Sequence, residues 1–251
     1  CVFQVFQPRG GGKRQAPTFD VIAPGIAKHE EEIVLAPGAD PKSDPCLALR
    51  AAVAAAEFGL PIAPGTLQNL KSCPIDDRTW NDESRSLFLR LLASGPALLQ
   101  VWEEIDFVDI PGRLIPEWLA IRNRPSASAA HRYTIDRHSV EVVTRLGRET
   151  PRGNRYDDRH YQALLLAGIL HDVGKRPGVA DHAAEGARHA SMVLKRMGFD
   201  RDIIWWVTLL VREHLTLSEF ATGQNPNDPN VGDELASRLD HDRCCLTCCS
   251  I

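Results

Sequence analysis

The sequence predicts an all-α protein, a helical bundle preceded by a smaller helical segment. Three observations carry this. Apolar residues recur at helical spacing in successive runs from residue 44 onward. Capping residues and glycines punctuate those runs. No strand–helix–strand alternation accompanies them. Hydrophobic residues make up 43% and charged residues 25% of the 251, the balance of a globular chain with a sizeable core.

Residues 1–43 read as irregular, broken by Gly10-Gly11-Gly12 and several prolines. Within them, Phe19–Ala23 and Glu32–Leu35 are short apolar runs suited to strands or to the edge of a preceding domain. Asp44 is expected to cap the first clear helix, with Pro45 at its first position and Gly59 as its stop. A short helix follows near Thr66–Lys71, then a polar loop over residues 72–82. Glu83–Ser94 is amphipathic, with Leu87/Leu91 and Phe88/Leu92 at i, i+4. Gly95-Pro96 separates it from Ala97–Phe107, and Leu114–Arg122 is a further short helix around Trp118. After a polar loop, Ile135–Glu149 carries an apolar stripe of Val140, Val143 and Leu146. Asp158–Asp172 reads as a buried helix, Asp181–Gly198 as the next, and Asp202–Glu219 as a Trp-rich one. Asp228–Asp240 is the last. The expected division is an irregular segment over 1–43, a helical linker segment over 44–124, the bundle over 125–240 and a disordered Cys-rich tail over 241–251.

The formal net charge of −4 argues against a broad nucleic-acid or anionic-membrane surface. No apolar run approaches the ~18–20 residues that span a bilayer, and no signal-peptide core is visible. The seven cysteines are odd in number and four crowd the last eight residues, which points to a reducing, cytoplasmic setting. Cys245 and Cys248 have metal-like spacing, but no second His/Cys pair follows them. The chain starts at Cys1 and contains only Met192 and Met197, so it is expected to be a piece of a longer protein.

The chemistry concentrates after residue 131. His138 lies mid-helix. His171 and Asp172 end the apolar run LLLAGILHDVGK, where burying both is costly unless they are paired or bind a metal. Asp181 and His182 begin the next helix, His214 lies late in the Trp-rich helix, and Asp228 opens the last. Each has an ordinary alternative: His138 as a surface histidine, Asp181 as an N-cap beside an incidental His182, and His214 as a helix end favoured by the dipole. His189 is expected to be exposed. Neighbouring helical residues point about 100° apart, so His171 and Asp172 reach one ion only at the helix end, where Gly174 permits a turn. Imidazole with carboxylate suits Mn²⁺, Fe²⁺, Zn²⁺ or, with added oxygens, Mg²⁺. Lys175 can steady a phosphate's charge.

This ordered series resembles the HD superfamily of metal-dependent phosphohydrolases, whose motif is a His, a His-Asp doublet and a later Asp. HRYTIDRHSVE (131–141), LLLAGILHDVGK (164–175), DHAAEGA (181–187), GFD (198–200), LVREHLTLSE (210–219) and NDPNV (227–231) more closely resemble the HD domain of the bacterial PII uridylyltransferase/uridylyl-removing enzymes. Residues 44–70 and 95–125 resemble the helical segment that precedes that domain, and the resemblance covers about residues 25–240.

The resemblance implies a divalent-metal phosphodiesterase, with Mn²⁺ or Mg²⁺, that releases UMP from uridylylated PII signalling protein. It implies His138, His171, Asp172 and Asp228 as metal ligands. It places His182, His214 and Lys175 on the phosphate side, with His171 and Asp172 also catalytic. It also implies that residues 1–43 are a remnant of a nucleotidyltransferase domain. No Gly-Ser doublet with paired aspartates precedes the helices and no ACT-like pattern follows residue 242, so no uridylyltransferase activity is expected of this chain. Two departures stand out. Asn225 occupies a place where the family has an aspartate, and Glu213 replaces a frequent histidine. The alternatives are a non-catalytic fragment and an HD hydrolase acting on free nucleotides.

Overall fold

A computed structural model describes residues 18–76, 80–125, 133–149 and 159–216. They form a small antiparallel sheet followed by helices. Strands β1 (Asp20–Ala23), β2 (Ile26–His29) and β3 (Glu32–Leu35) make a meander in the order β1-β2-β3. Part of the stretch expected to be irregular is therefore ordered. β2 escapes the pattern because only Ile26 and Ala27 are apolar; both are fully buried, and Lys28 and His29 complete the strand. Gly25, at φ 75°, turns the chain between β1 and β2. Ile33 anchors the sheet to the chain after the first helix, donating and accepting 2.9 Å backbone bonds with Pro61 and Ala63.

Helix α1 (Leu47–Phe58) is alanine-rich and almost wholly buried, and Gly59 ends it in the left-handed conformation as expected. It starts later than the sequence suggests. The Asp44 carboxylate accepts from the Cys46 N–H (2.9 Å), which closes a turn ahead of the helix instead of capping it. α2 (Pro64–Leu70) follows. α3 (Asp82–Leu92) is capped reciprocally by Asn81 and Ser84. α4 (Ala97–Phe107) packs on α1. The helix expected over Leu114–Arg122 is instead two pieces, α5 (Ile110–Leu114) and a 3-10 turn (Pro116–Ala120). Pro116 has no N–H to continue the first, and Ile115 is extended at φ −131°, ψ 86°.

α6 (Ile135–Glu149), α7 (Arg159–Leu170), α8 (His182–Met197) and α9 (Arg201–Arg212) surround the candidate site. α7 is central. It contacts α3, α6, α8 and α9 and is buried from Ala163 to Leu170 apart from Leu164. The α6 stripe of Val140, Val143 and Leu146 is buried as expected. α9 ends at Arg212, short of Glu219, and His214 sits in the turn beyond it. The segment holding Asn225, Asp228 and the expected last helix lies outside the described residues, as does the cysteine tail. Among the described residues, no helix is long and apolar enough to cross a membrane.

Candidate metal centre

Small residues bring the helices together at the site. A Cβ on Gly168 of α7 would lie 3.0 Å from Val143 Cγ2, so α6 and α7 cross closely there. Beyond α7, Gly174 meets α8 more tightly still. A Cβ on it would stand 2.2 Å from the His182 carbonyl oxygen and 2.3 Å from the Gly186 nitrogen. Only glycine fits this approach, and the approach sets the first turn of α8 against the His171-Asp172 turn. The sequence assigns Gly174 to a turn; its second function, as the contact with α8, emerges only in three dimensions.

Four histidines converge as a result. The ring centroids of His138 and His171 are 5.2 Å apart, those of His171 and His214 5.2 Å, and those of His182 and His214 5.7 Å. Asp172 lies at their centre, 1% exposed, beside His171 at 3%. Two triads each place one ligand atom per residue within 4.8 Å of the others: His138 with His171 and Asp172, and Asp172 with His182 and His214. Asp172 belongs to both.

Hydrogen bonds fix which ring nitrogen faces the centre. His171 Nδ1 lies 2.8 Å from the Gly168 carbonyl and His214 Nδ1 2.7 Å from the Val211 carbonyl. A carbonyl only accepts, so both Nδ1 atoms donate, and each neutral ring presents its Nε2 lone pair inward. His171 Nε2 then stands 3.4 Å from Asp172 Oδ2, and His214 Nε2 stands 3.6 Å from Asp172 Oδ1. Acceptors facing acceptors require a cation or a proton between them. Among the described residues, Asp172 Oδ1, His182 Nε2 and His214 Nε2 are all buried without a hydrogen-bond partner. Leaving such atoms unsatisfied costs about 1–3 kcal/mol each, more for a charged group. The donor set of imidazole nitrogens and a carboxylate, with its orphaned atoms pointing together, fits a divalent ion.

Electrostatics agree with this fit. Burial works against ionisation of Asp172, but His171 and then Lys175 outweigh it and hold the carboxyl well below the usual range. Burial, followed by the nearby His171, pushes His214 down to about 4. Burial and Lys175 lower His182. Burial thus favours the neutral form of His182 and His214, the form of an imidazole that ligates metal.

Lys175 Nζ donates to Asp172 Oδ2 at 2.8 Å, so its charge is engaged within the cluster. Asp181 caps α8 through the Ala184 N–H (2.8 Å), as its ordinary reading has it. His189 is buried, contrary to expectation; its Nε2 lies 2.9 Å from Glu185 Oε1, one helical turn back. Arg212, which the sequence did not single out, lines a cavity with His182 and Glu213 beside the cluster. The sequence signals Glu213 only as a departure from the family pattern.

Comparison with known proteins assigns this architecture. Residues 135–242 match the HD domain, so the cluster belongs to a domain of that class. Over most of its length the chain resembles bifunctional uridylyltransferase/uridylyl-removing enzymes. It is 40% identical to the one from Streptomyces coelicolor over 223 residues, 88% of this chain and 26% of that enzyme. The Mycobacterium tuberculosis enzyme is 37% identical over 219 residues, 87% of this chain and 26% of the enzyme. The Corynebacterium glutamicum enzyme is 32% identical over 203 residues, 80% and 28%. The chain spans about a quarter of the length of these curated relatives.

Proposed function

We propose that this chain is a metal-dependent phosphodiesterase that removes UMP from uridylylated PII protein in the cytoplasm, with residues 44–124 as a helical linker segment before the catalytic part. The observation that carries the reading is the pair of His/Asp triads sharing buried, partly unsatisfied Asp172. His138, His171 and Asp172 would hold a Mn²⁺ or Mg²⁺ ion, with Asp228 as the further ligand. When bound, such an ion polarises a phosphoryl oxygen and acidifies a water.

The protein's own groups do the rest. The Gly168 and Val211 carbonyls lock two imidazoles with Nε2 inward. Lys175 orients Asp172 and adds positive charge on the phosphate side. His182 and His214, held neutral, accept or return a proton as the diester is cleaved. The substrate follows from the resemblance to enzymes named as uridylyl-removing.

The test is hydrolysis of bis(p-nitrophenyl) phosphate with Mn²⁺ or Mg²⁺. Turnover that His171→Ala and Asp172→Ala each abolish supports the reading. A folded protein with no turnover on either metal overturns it. A second reading, a non-catalytic piece of such an enzyme, is favoured by Asn225, because a neutral amide is a poorer partner for a divalent ion than a carboxylate. A folded chain that binds no divalent ion after loading would favour that reading.

A further inference from the structure

The cavity beside the metal cluster is distinct in chemistry from the cluster itself. It opens between the first turn of α8 and the end of α9, has a volume of about 490 Å³, and is lined by Asp181, His182, Arg212, Glu213 and Thr216 among others. That size falls within the ~300–1,000 Å³ of small-molecule sites. His182 belongs to both the cavity and the second triad, so a molecule lying here reaches the cluster at its inner end.

The charges in the cavity do not suit a phosphate. Asp181 and Glu213 bring two carboxylates against the one guanidinium of Arg212. Arg212 is 67% exposed, and its ion pair with Glu213 is long, 3.7 Å. Glu213 is only 14% exposed and is held in place, because Thr216 Oγ1 donates to its Oε2 at 2.5 Å. Among the described residues, the other oxygen, Oε1, has the long Arg212 contact alone. A fixed, half-desolvated carboxylate oxygen in a cavity is an acceptor for a neutral O–H or N–H donor. A nucleotide ester whose phosphorus sits on the histidine–aspartate cluster carries hydroxyl donors on the sugar directly attached to it.

Building on the phosphodiesterase reading, we propose that this cavity seats the nucleoside half of the diester, with Glu213 accepting the ribose 2′-hydroxyl and Arg212 closing the outer rim. Glu213 is thereby a specificity-determining residue that selects ribonucleotides over deoxyribonucleotides.

Calorimetric titration of UMP, dUMP and inorganic phosphate into the Mn²⁺-loaded full chain tests this. A hydrogen bond to a charged acceptor is worth about tenfold to a hundredfold in affinity, so UMP should bind at least about tenfold tighter than dUMP. Glu213→Ala should bring the two within about twofold and leave inorganic phosphate affinity unchanged; Glu213→Gln, which keeps the shape, should retain part of the preference. The proposal is overturned by no UMP binding, by equal binding of UMP and dUMP by the wild type, or by a preference that survives Glu213→Ala. A loss of phosphate affinity equal to the loss for UMP also overturns it. The wild-type UMP/dUMP comparison needs no variant to fold. Hydrolysis of bis(p-nitrophenyl) phosphate, which has no ribose, reads the diesterase activity separately. A sugar preference without hydrolysis retains the cavity and removes the diesterase, and hydrolysis without a sugar preference does the reverse.

Discussion

At the scale of single residues, the site is built from backbone carbonyls that choose tautomers and one carboxylate that serves two triads. Asp172→Asn keeps the shape and removes the charge. Manganese content after loading, measured by plasma emission, should fall by more than the roughly 10- to 100-fold typical of outer-shell changes. Retained metal would move the centre elsewhere. The histidines also predict a pH dependence. The folded-state pKa of His214 is depressed from 6.5 to about 4, so the unfolded chain binds protons more readily between those values. Stability of chelator-treated protein should therefore be full above pH 6.5 and decline as the pH falls toward 4. His182 and His189 shift in the same direction. Urea midpoints at pH 7 and pH 5 check this: the pH 5 midpoint should be lower, and His214→Gln should narrow the gap. The sequence made the identities of these residues legible, because a histidine beside an aspartate at the end of an apolar run is costly without a partner. It could not show that Lys175 turns inward to Asp172, since that depends on the path of the turn.

At the scale of elements, the decisive contact is the turn after α7 against the start of α8. Gly174→Ala would drive a Cβ into backbone atoms at 2.2 and 2.3 Å. Overpacking costs about 1–3 kcal/mol even where side chains can yield, and here the backbone must move. Chemical denaturation should show a loss of at least that size, together with weakened metal loading as His182 leaves its place. Wild-type stability in the variant would mean the two turns are not in contact. The helices around the site were legible because their apolar residues repeat strongly. The helix expected over Leu114–Arg122 begins at the end of α5 and runs through the 3-10 turn, because periodicity does not register the missing N–H of Pro116 that separates the two pieces. β2 was hidden by having two apolar residues in four. His189 is buried where its polarity predicts exposure, because Glu185 pairs with it one turn away.

At the scale of the whole molecule, the preceding segment is tied to α8 by an ion pair. Arg196 donates to both Glu117 oxygens, at 3.0 and 2.6 Å, and the Glu117 side chain is 10% exposed. Burial opposes charge on Glu117, but Arg196 holds its carboxyl below the usual range. Glu117→Ala leaves a partly buried guanidinium without its carboxylate and should cost about 1–3 kcal/mol in urea unfolding; an unchanged midpoint would make the pair incidental. The similarity to uridylyl-removing enzymes runs through this segment as well as the HD domain. Metal-dependent removal of UMP is measured most directly as UMP released from uridylylated PII while Mn²⁺ is titrated into the metal-free chain. Release should rise from zero and saturate with Mn²⁺. Saturating Mn²⁺ binding without UMP release would contradict it.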